Sequence, residues 1–222
     1  MKKYWWKILC ILLLLFVIIA GFLISVPAKV ILHETIRNLF FHVPMWMVMF
    51  VLFTVSFVCA ILYLRKGDFK YDIAGETAAS AGLTFGVIGI VTGAVWAKFT
   101  WGQYWSNDPK QLYTAAALLI YFAYFVLRNS FTNIDSRAKV SAVYNIFAFA
   151  LLIPLTVVIP RITDSLHPGN GGNPGFDIYD STGHLKVVLY PAFIGWTLLG
   201  CWCFNLSYRF KKVKYKKLFK SL

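Results

Sequence analysis

The chain has 222 residues, of which 59% are hydrophobic and only 14% are charged. Soluble domains usually carry about 25% charged residues, so this composition excludes an ordinary soluble protein. The net charge of +13 would by itself suit a nucleic-acid-binding protein. The basic residues cluster between long apolar runs, however, and this distribution favours a membrane surface over nucleic acid as the partner.

Six runs without Lys, Arg, Asp or Glu are long enough to cross a bilayer, since a helix rises about 1.5 Å per residue and the hydrocarbon layer is about 30 Å thick. They cover about residues 8–26, 44–64, 77–97, 111–127, 140–159 and 187–207. Backbone polar groups must be satisfied within each segment in lipid, so each run is predicted to be a helix. The sequence therefore predicts an all-α integral membrane protein, a bundle of six transmembrane helices that forms a single domain over residues 1–222.

The distribution of basic residues predicts the orientation of this bundle. If the six spans alternate from a cytoplasmic N-terminus, most of the 22 Lys and Arg residues lie inside, and the outer segments hold only Lys29, Arg37, Lys98, Lys110, Arg161 and Lys186. The positive-inside rule then places both termini in the cytoplasm. The first run is longer than the apolar part of a signal peptide and is interpreted as a retained helix. The inner segments 65–76 and 128–139 are predicted to be plain turns, and the absence of charge within the runs argues against an ion-coupled transporter.

All four histidines fall in the predicted outer segments: His33, His42, His167 and His184. Two neutral imidazoles can ligate haem iron, an aromatic surface suits a porphyrin, and cationic side chains can pair with propionates. His42 stands just before Pro44, at the mouth of the second span, and His167 lies just beyond the fifth. A single interfacial histidine is more often a hydrogen-bonding neighbour of headgroups, and spacing does not show whether His42 and His167 face each other.

The outer segment 98–110 is rich in aromatic residues and includes Trp101 and Trp105, which would share one face if the loop were helical. Its composition favours an irregular interfacial platform. Asp108 is followed by Pro109 and, three residues after itself, by Gln111, which is typical of a helix start. Asp108 is therefore interpreted as orienting the loop against the next helix, in preference to contacting a ligand directly.

Two further patterns leave alternatives open. The third span carries Gly82, Gly86, Gly89 and Gly93 on one helical face. Close helix packing is the favoured interpretation, and a flat ligand lying against this face is the alternative. The glycine- and proline-rich stretch 168–175 cannot form regular structure, and it is interpreted as a linker or, less favoured, as a flap beside His167.

Three motifs in chain order resemble a known family. His42-Val43-Pro44 opens the second span, a W-G-x-x-W-x-x-D pattern covers residues 101–108, and Leu166-His167 precedes the last span. In span number, orientation and order of motifs the chain resembles the CcmC family of haem-handling proteins in cytochrome c maturation, within the wider tryptophan-rich "WWD" group. It departs from many members at Asn107 and Tyr104, where a tryptophan is common.

The resemblance implies a protein of the bacterial inner membrane whose functional loops are periplasmic. It would bind haem b non-covalently, with His42 and His167 as axial ligands of the iron. The haem-binding loop would contain Trp101, Gly102, Tyr104, Trp105 and Asp108. Haem would pass to a periplasmic haem chaperone with the help of ABC-type transporter subunits, so the protein itself would not be an enzyme. Charge and position alone suggest Arg161 and Lys98 as propionate partners.

Three other functions compete with haem delivery. A haem lyase that attaches haem directly to apocytochrome c is the main alternative, supported by the character of the 98–110 loop. A b-type electron-transfer subunit would usually hold haem from histidines inside its helices, and the predicted spans contain none. A permease for a small solute would contain no haem.

Overall fold

The computed structural model describes residues 4–27, 32–167 and 183–218, and all regular structure in these ranges is helical. The helices are α1 (Trp5–Leu23), α2 (Leu39–Lys66), α3 (Phe69–Trp101), α4 (Pro109–Asn129), α5 (Ile134–Ile153), α6 (Ile159–Ile162) and α7 (Gly183–Leu218). A 3₁₀ turn, His33–Asn38, leads into α2, and a π-helical turn, Pro154–Val158, joins α5 to α6. The stretch 168–175 lies outside the described residues, so its interpretation stays a prediction.

Within the described ranges, six helical stretches are long and apolar enough to cross a membrane, which confirms the predicted six-helix membrane fold. Several helices extend beyond the apolar runs. The second stretch is Glu34–Lys66 where the run covers 44–64, and the third is Phe69–Trp101 where the run covers 77–97. A search for uncharged runs stops at the first charged side chain, whereas the backbone stays helical through the polar ends of each span.

Helix α2 lies at the centre of the bundle and packs mainly against α3, α5 and α7. The rings of Phe53 on α2 and Tyr121 on α4 stack with centroids 3.6 Å apart. A buried polar link joins three helices, because the Ser56 hydroxyl donates to the Gly75 carbonyl at 2.6 Å and the Asn145 amide donates to the Ser56 hydroxyl at 2.7 Å. These buried hydrogen bonds connect α2, α3 and α5 to one another.

The glycine face of α3 allows neighbouring side chains to approach its backbone closely. A Cβ atom at Gly82 would lie 2.8 Å from the ring of Phe53, and one at Gly86 would lie 2.6 Å from Leu118. The favoured interpretation, helix packing through small residues, is confirmed for this inner part of the face.

One end of the bundle, here called the ion-pair end, contains buried charges. Arg128 on α4 donates two hydrogen bonds of 2.7 Å to the two carboxylate oxygens of Asp72 on α3. Lys211 on α7 pairs with Glu76 on α3 at 2.8 Å. The prediction that segment 65–76 is a plain turn was wrong, because α3 already begins at Phe69 and carries both acids into the bundle. In segment 128–139, only residues 130–133 lie between α4 and α5. The opposite end, here called the histidine end, contains His42 and His167.

Candidate functional site

His42 lies in the second turn of α2, and both of its ring nitrogens have partners. Nδ1 lies 3.1 Å from the Thr92 hydroxyl on α3, and Nε2 accepts a hydrogen bond of 3.1 Å from the indole N–H of Trp46. The Thr92 hydroxyl donates to the Ile88 carbonyl at 2.8 Å, so it accepts from His42. The network therefore assigns the proton to Nδ1 and the lone pair to Nε2.

His167 follows α6 and is held by Asp108. Its Nδ1 lies 2.8 Å from one carboxylate oxygen of Asp108. The same carboxylate accepts from the Ser165 hydroxyl at 2.8 Å, from the Leu166 amide at 2.7 Å and, as the cap of α4, from the Lys110 amide at 2.9 Å. Asp108 thus ties the segment after α6 to the start of α4, and it accepts the Nδ1 proton of His167, which leaves the lone pair on Nε2.

The ionisation of Asp108 supports this arrangement. Burial raises the pKa of its carboxyl, but hydrogen bonds from His167 and from the Leu166 amide outweigh burial and lower the pKa to about 2. The side chain is therefore a carboxylate at neutral pH, and it accepts the hydrogen bond from Nδ1 of His167. The prediction that Asp108 caps the next helix is confirmed by its bond to the Lys110 amide.

A cavity of about 590 Å³ at the histidine end is lined by both His42 and His167. Its size falls in the usual range for cofactor sites. Both histidines lie against α3. A Cβ atom at Gly93 would lie 2.6 Å from Cε1 of His42, and the ring centroid of His167 is 6.1 Å from that of Trp96. Gly93 and Trp96 are three residues apart, about 4.5 Å along the helix axis, so the two imidazoles contact neighbouring levels of α3.

The other predicted residues are divided between the cavity wall and its surroundings. Trp105 and Arg161 line the cavity. Trp101 packs edge-on against His167, with ring centroids 4.7 Å apart. Asp108 does not line the cavity and contacts His167 through Nδ1.

Gly102, Tyr104 and Lys98 are not among the residues that line the cavity. Gly102 ends α3 with a φ of +83°, a conformation that favours glycine. Trp101 and Trp105 therefore do not share a helical face, because the helix stops between them. Tyr104 is exposed, and Lys98 lies 5.7 Å from its ring and donates to the Gly102 carbonyl at 2.9 Å.

The residues lining the cavity also include Trp46, Trp96, Lys110 and Gln111, which the sequence analysis did not predict as site residues. The spacing of His42 and Trp46, four residues on one helix, was a usable signal for contact. Lys110 and Gln111 belong to the first turn of α4, directly after the Asp108 cap. Lys110 and Arg161 give the cavity two cationic side chains.

These residues fit haem. In the described ranges no group of three or more His, Cys, Asp or Glu side chains could hold a bare metal ion. Two imidazoles with assignable lone pairs suit an iron whose other four positions are filled by a porphyrin. The tryptophans offer apolar walls and the two cations suit carboxylates.

Comparison with known proteins gives consistent relationships. The model of the CcmC family, described as heme exporter protein C, matches residues 1–207. "Heme exporter protein C" of Paracoccus denitrificans is 28% identical over 120 residues, which are 53% of this chain and 50% of that protein. "Heme exporter protein C" of Rhodobacter capsulatus is 25% identical over 117 residues, 53% of this chain and 48% of that protein.

A second group of relatives is named for cytochrome c biogenesis. "Cytochrome c biogenesis protein CcsA" of Solanum bulbocastanum is 31% identical over 142 residues, 61% of this chain and 44% of that protein. The chain thus spans about half the length of the curated relatives that it matches. Because the family model covers residues 1–207, the chain belongs to the CcmC family, that of heme exporter protein C.

Proposed function

We propose that this protein binds haem b non-covalently in the cavity at the histidine end and delivers it to a periplasmic haem chaperone for cytochrome c biogenesis. The observation that carries this proposal is that His42 and His167, from distant parts of the chain, line one cavity. Family membership supports it, since the relatives are named for haem export and cytochrome c biogenesis.

Each cavity residue has a role in holding this ligand. Bound haem would supply an iron that accepts lone pairs from neutral imidazoles. Asp108 keeps Nδ1 of His167 protonated, so that Nε2 of His167 is free to bind the iron. Trp101 packs edge-on against the His167 ring. His42 offers Nε2 from α2. Trp105 forms part of the apolar wall.

The cationic side chains of Lys110 and Arg161 would bind the two carboxylates. Both line the cavity on the side of α4 and α6. Ion pairs between a planar guanidinium or an ammonium and a carboxylate are charge-assisted, and a partly enclosed site strengthens them. Lys98 is less suited, because it is not among the residues that line the cavity.

The cellular setting follows from the charge distribution. By the positive-inside rule, the ion-pair end would lie in the cytoplasm and the histidine end in the periplasm, and family membership supports a bacterial inner membrane as the location. The single membrane domain, residues 1–222, would work with ABC-type transporter subunits, and its basic C-terminal segment would rest on anionic lipid. Binding and transfer require no bond-making by this chain, so we propose a carrier and not an enzyme.

The test is the haem content of protein purified from haem-replete cells. We expect bound haem in the natural sequence and in His184→Ala, since His184 is exposed and outside the cavity lining. We expect large losses in His42→Ala and in His167→Ala. Unchanged haem content in both cavity variants would overturn the proposed site.

Direct attachment of haem to apocytochrome c remains the alternative function, and the similarity to proteins named for cytochrome c biogenesis favours it as the second candidate. Co-expression separates the two. Transfer of haem to a co-expressed periplasmic haem chaperone supports delivery, whereas direct modification of apocytochrome without any transfer to the chaperone supports the lyase.

A further inference from the structure

The lone pair of His42 Nε2 is occupied by a neighbouring side chain. The indole N–H of Trp46 donates to Nε2 at 3.1 Å, and the two rings meet edge-on with centroids 5.7 Å apart. An imidazole gives a metal this same lone pair. Trp46 and a metal therefore cannot use Nε2 at the same time.

The surface of α3 is shaped for this contact. A Cβ atom at Gly89 would lie 2.8 to 3.0 Å from atoms of the Trp46 ring, and one at Gly93 would lie 2.6 Å from Cε1 of His42. A side chain at either position would push a ring away from α3. The two glycines thus give the indole and the imidazole room to lie side by side.

The two hydrogen bonds of His42 have opposite consequences for a metal ligand. The bond from Nδ1 to the Thr92 hydroxyl holds the proton on Nδ1, and this leaves Nε2 as the donor to a metal. The hydrogen bond from the indole N–H of Trp46 occupies the lone pair on Nε2 that a metal would bind. Trp46 also lines the cavity, so its indole occupies the volume that an entering ligand must share.

We propose that Trp46 competes with bound haem for Nε2 of His42, and that this competition sets how tightly haem is held and how readily it is released. The inference rests on the proposed haem-binding function. When haem leaves, a buried imidazole nitrogen would otherwise lose its only partner, which is unfavourable. The indole N–H satisfies that nitrogen, so it stabilises the empty site and favours transfer to an acceptor.

Trp46→Phe removes the N–H and keeps an aromatic ring beside Gly89. One neutral hydrogen bond corresponds to a change of about three- to tenfold in affinity. We expect Trp46→Phe to bind haem tighter by this factor and to release it correspondingly more slowly to haem-free globin. Thr92→Val should bind more weakly, because it removes the acceptor for Nδ1. Trp202→Phe, at the edge of Trp6 in the contact between α1 and α7, is the matched control and should be unchanged.

A second measurement uses protein without haem. The unprotonated nitrogen of a neutral imidazole attacks a carbonyl carbon of diethyl pyrocarbonate and becomes carbethoxylated, with ethyl carbonate as the leaving group, and mass spectrometry locates the modified histidine. We expect faster modification of His42 in Trp46→Phe than in the natural sequence, and an unchanged rate in Trp202→Phe.

The outcomes separate the inference from the function on which it rests. If the natural sequence binds no haem, the proposed function fails, whatever Trp46 does. If it binds haem but Trp46→Phe binds equally well or more weakly, or if His42 is modified no faster, Trp46 does not compete for Nε2 and the inference is overturned.

Discussion

Nδ1 of His167 lies 2.8 Å from a carboxylate oxygen of Asp108, although the two residues are 59 positions apart in the chain. Asp108 also caps α4, so one carboxylate both starts a helix and orients a proposed haem ligand. Partners of metal-bound histidines fix the tautomer and the direction of the ring. Because Asp108 connects the start of α4 to His167, the position of α4 influences the orientation of the His167 ring in the cavity.

Asp108→Asn should therefore weaken haem binding strongly while leaving both histidines in place. Loss of such a partner typically lowers metal affinity by roughly ten- to a hundredfold. The measurement is a haem titration followed by visible absorbance, with Asp164→Asn, an exposed acid in the same segment, as the control. Equal affinities in the two variants would show that Asp108 does not orient His167.

The depressed pKa of Asp108 predicts a specific pH dependence. Its carboxyl has a pKa of about 2 in the folded protein, and an unfolded aspartate has one of about 3.9. A group whose pKa is lower in the folded state adds stability above the unfolded pKa, and this contribution is lost as the pH falls from about 4 to about 2. The natural sequence should stay more stable than Asp108→Asn from neutral pH down to about pH 5.

Thermal unfolding of both haem-free proteins in detergent at a series of pH values measures this difference. We expect the gap between their midpoints to narrow only below about pH 4. A gap that closes already between neutral pH and about pH 5 would contradict the assignment of an ionised, hydrogen-bonded Asp108.

Arg161 is expected to contribute to the recognition of carboxylates. Because the residue is exposed, solvent screens its charge, and Arg161→Gln should weaken haem binding by only about two- to fivefold. Binding of haem dimethyl ester, which lacks free carboxylates, should be much less affected. Lys98→Gln is the matched control, because it also removes one positive charge but at a residue that does not line the cavity. Equal losses for haem and for its ester would argue against a carboxylate contact.

We expect the buried ion pair between Arg128 and Asp72 to contribute strongly to the free energy of unfolding. Arg128 and Asp72 are almost fully enclosed, with side-chain exposures of 3% and 4%. Arg128→Met leaves the carboxylate of Asp72 buried without its bidentate partner, and breaking a buried pair typically costs about 3–5 kcal/mol.

Unfolding in detergent measures this loss. The double change Asp72→Leu with Arg128→Met should recover much of the stability, because it removes both charges together. Lys70→Gln, which breaks an exposed pair with Asp68, should have little effect. A similar loss in the double and the single variant would show that packing, and not the unpaired charge, is responsible.

Features that depend on nearby residues could be predicted from the sequence. Apolar length predicted the six spans, and the order Asp108-Pro109 predicted the start of α4. Four of the predicted site residues, His42, His167, Trp105 and Arg161, line the same cavity.

Contacts between distant segments could not be predicted in this way. The hydrogen bond from His167 to Asp108 and the ion pair between Arg128 and Asp72 each depend on how α4 packs against its neighbours. The ion pair was also hidden by the use of uncharged runs to define spans, because that criterion assigns Asp72 to a loop. The contact between Trp46 and His42 could have been predicted from their spacing, because the two residues lie about one helical turn apart on α2.

The most direct test of the proposed site is rescue of the haem spectrum by imidazole. His42→Gly and His167→Gly would each remove one proposed iron ligand and leave a space that added imidazole can fill. We expect the haem-loaded natural sequence to show a six-coordinate, low-spin spectrum, each variant to lose it, and imidazole to restore it in both. A low-spin spectrum that persists without imidazole in either variant would contradict the claim that these two histidines hold one haem.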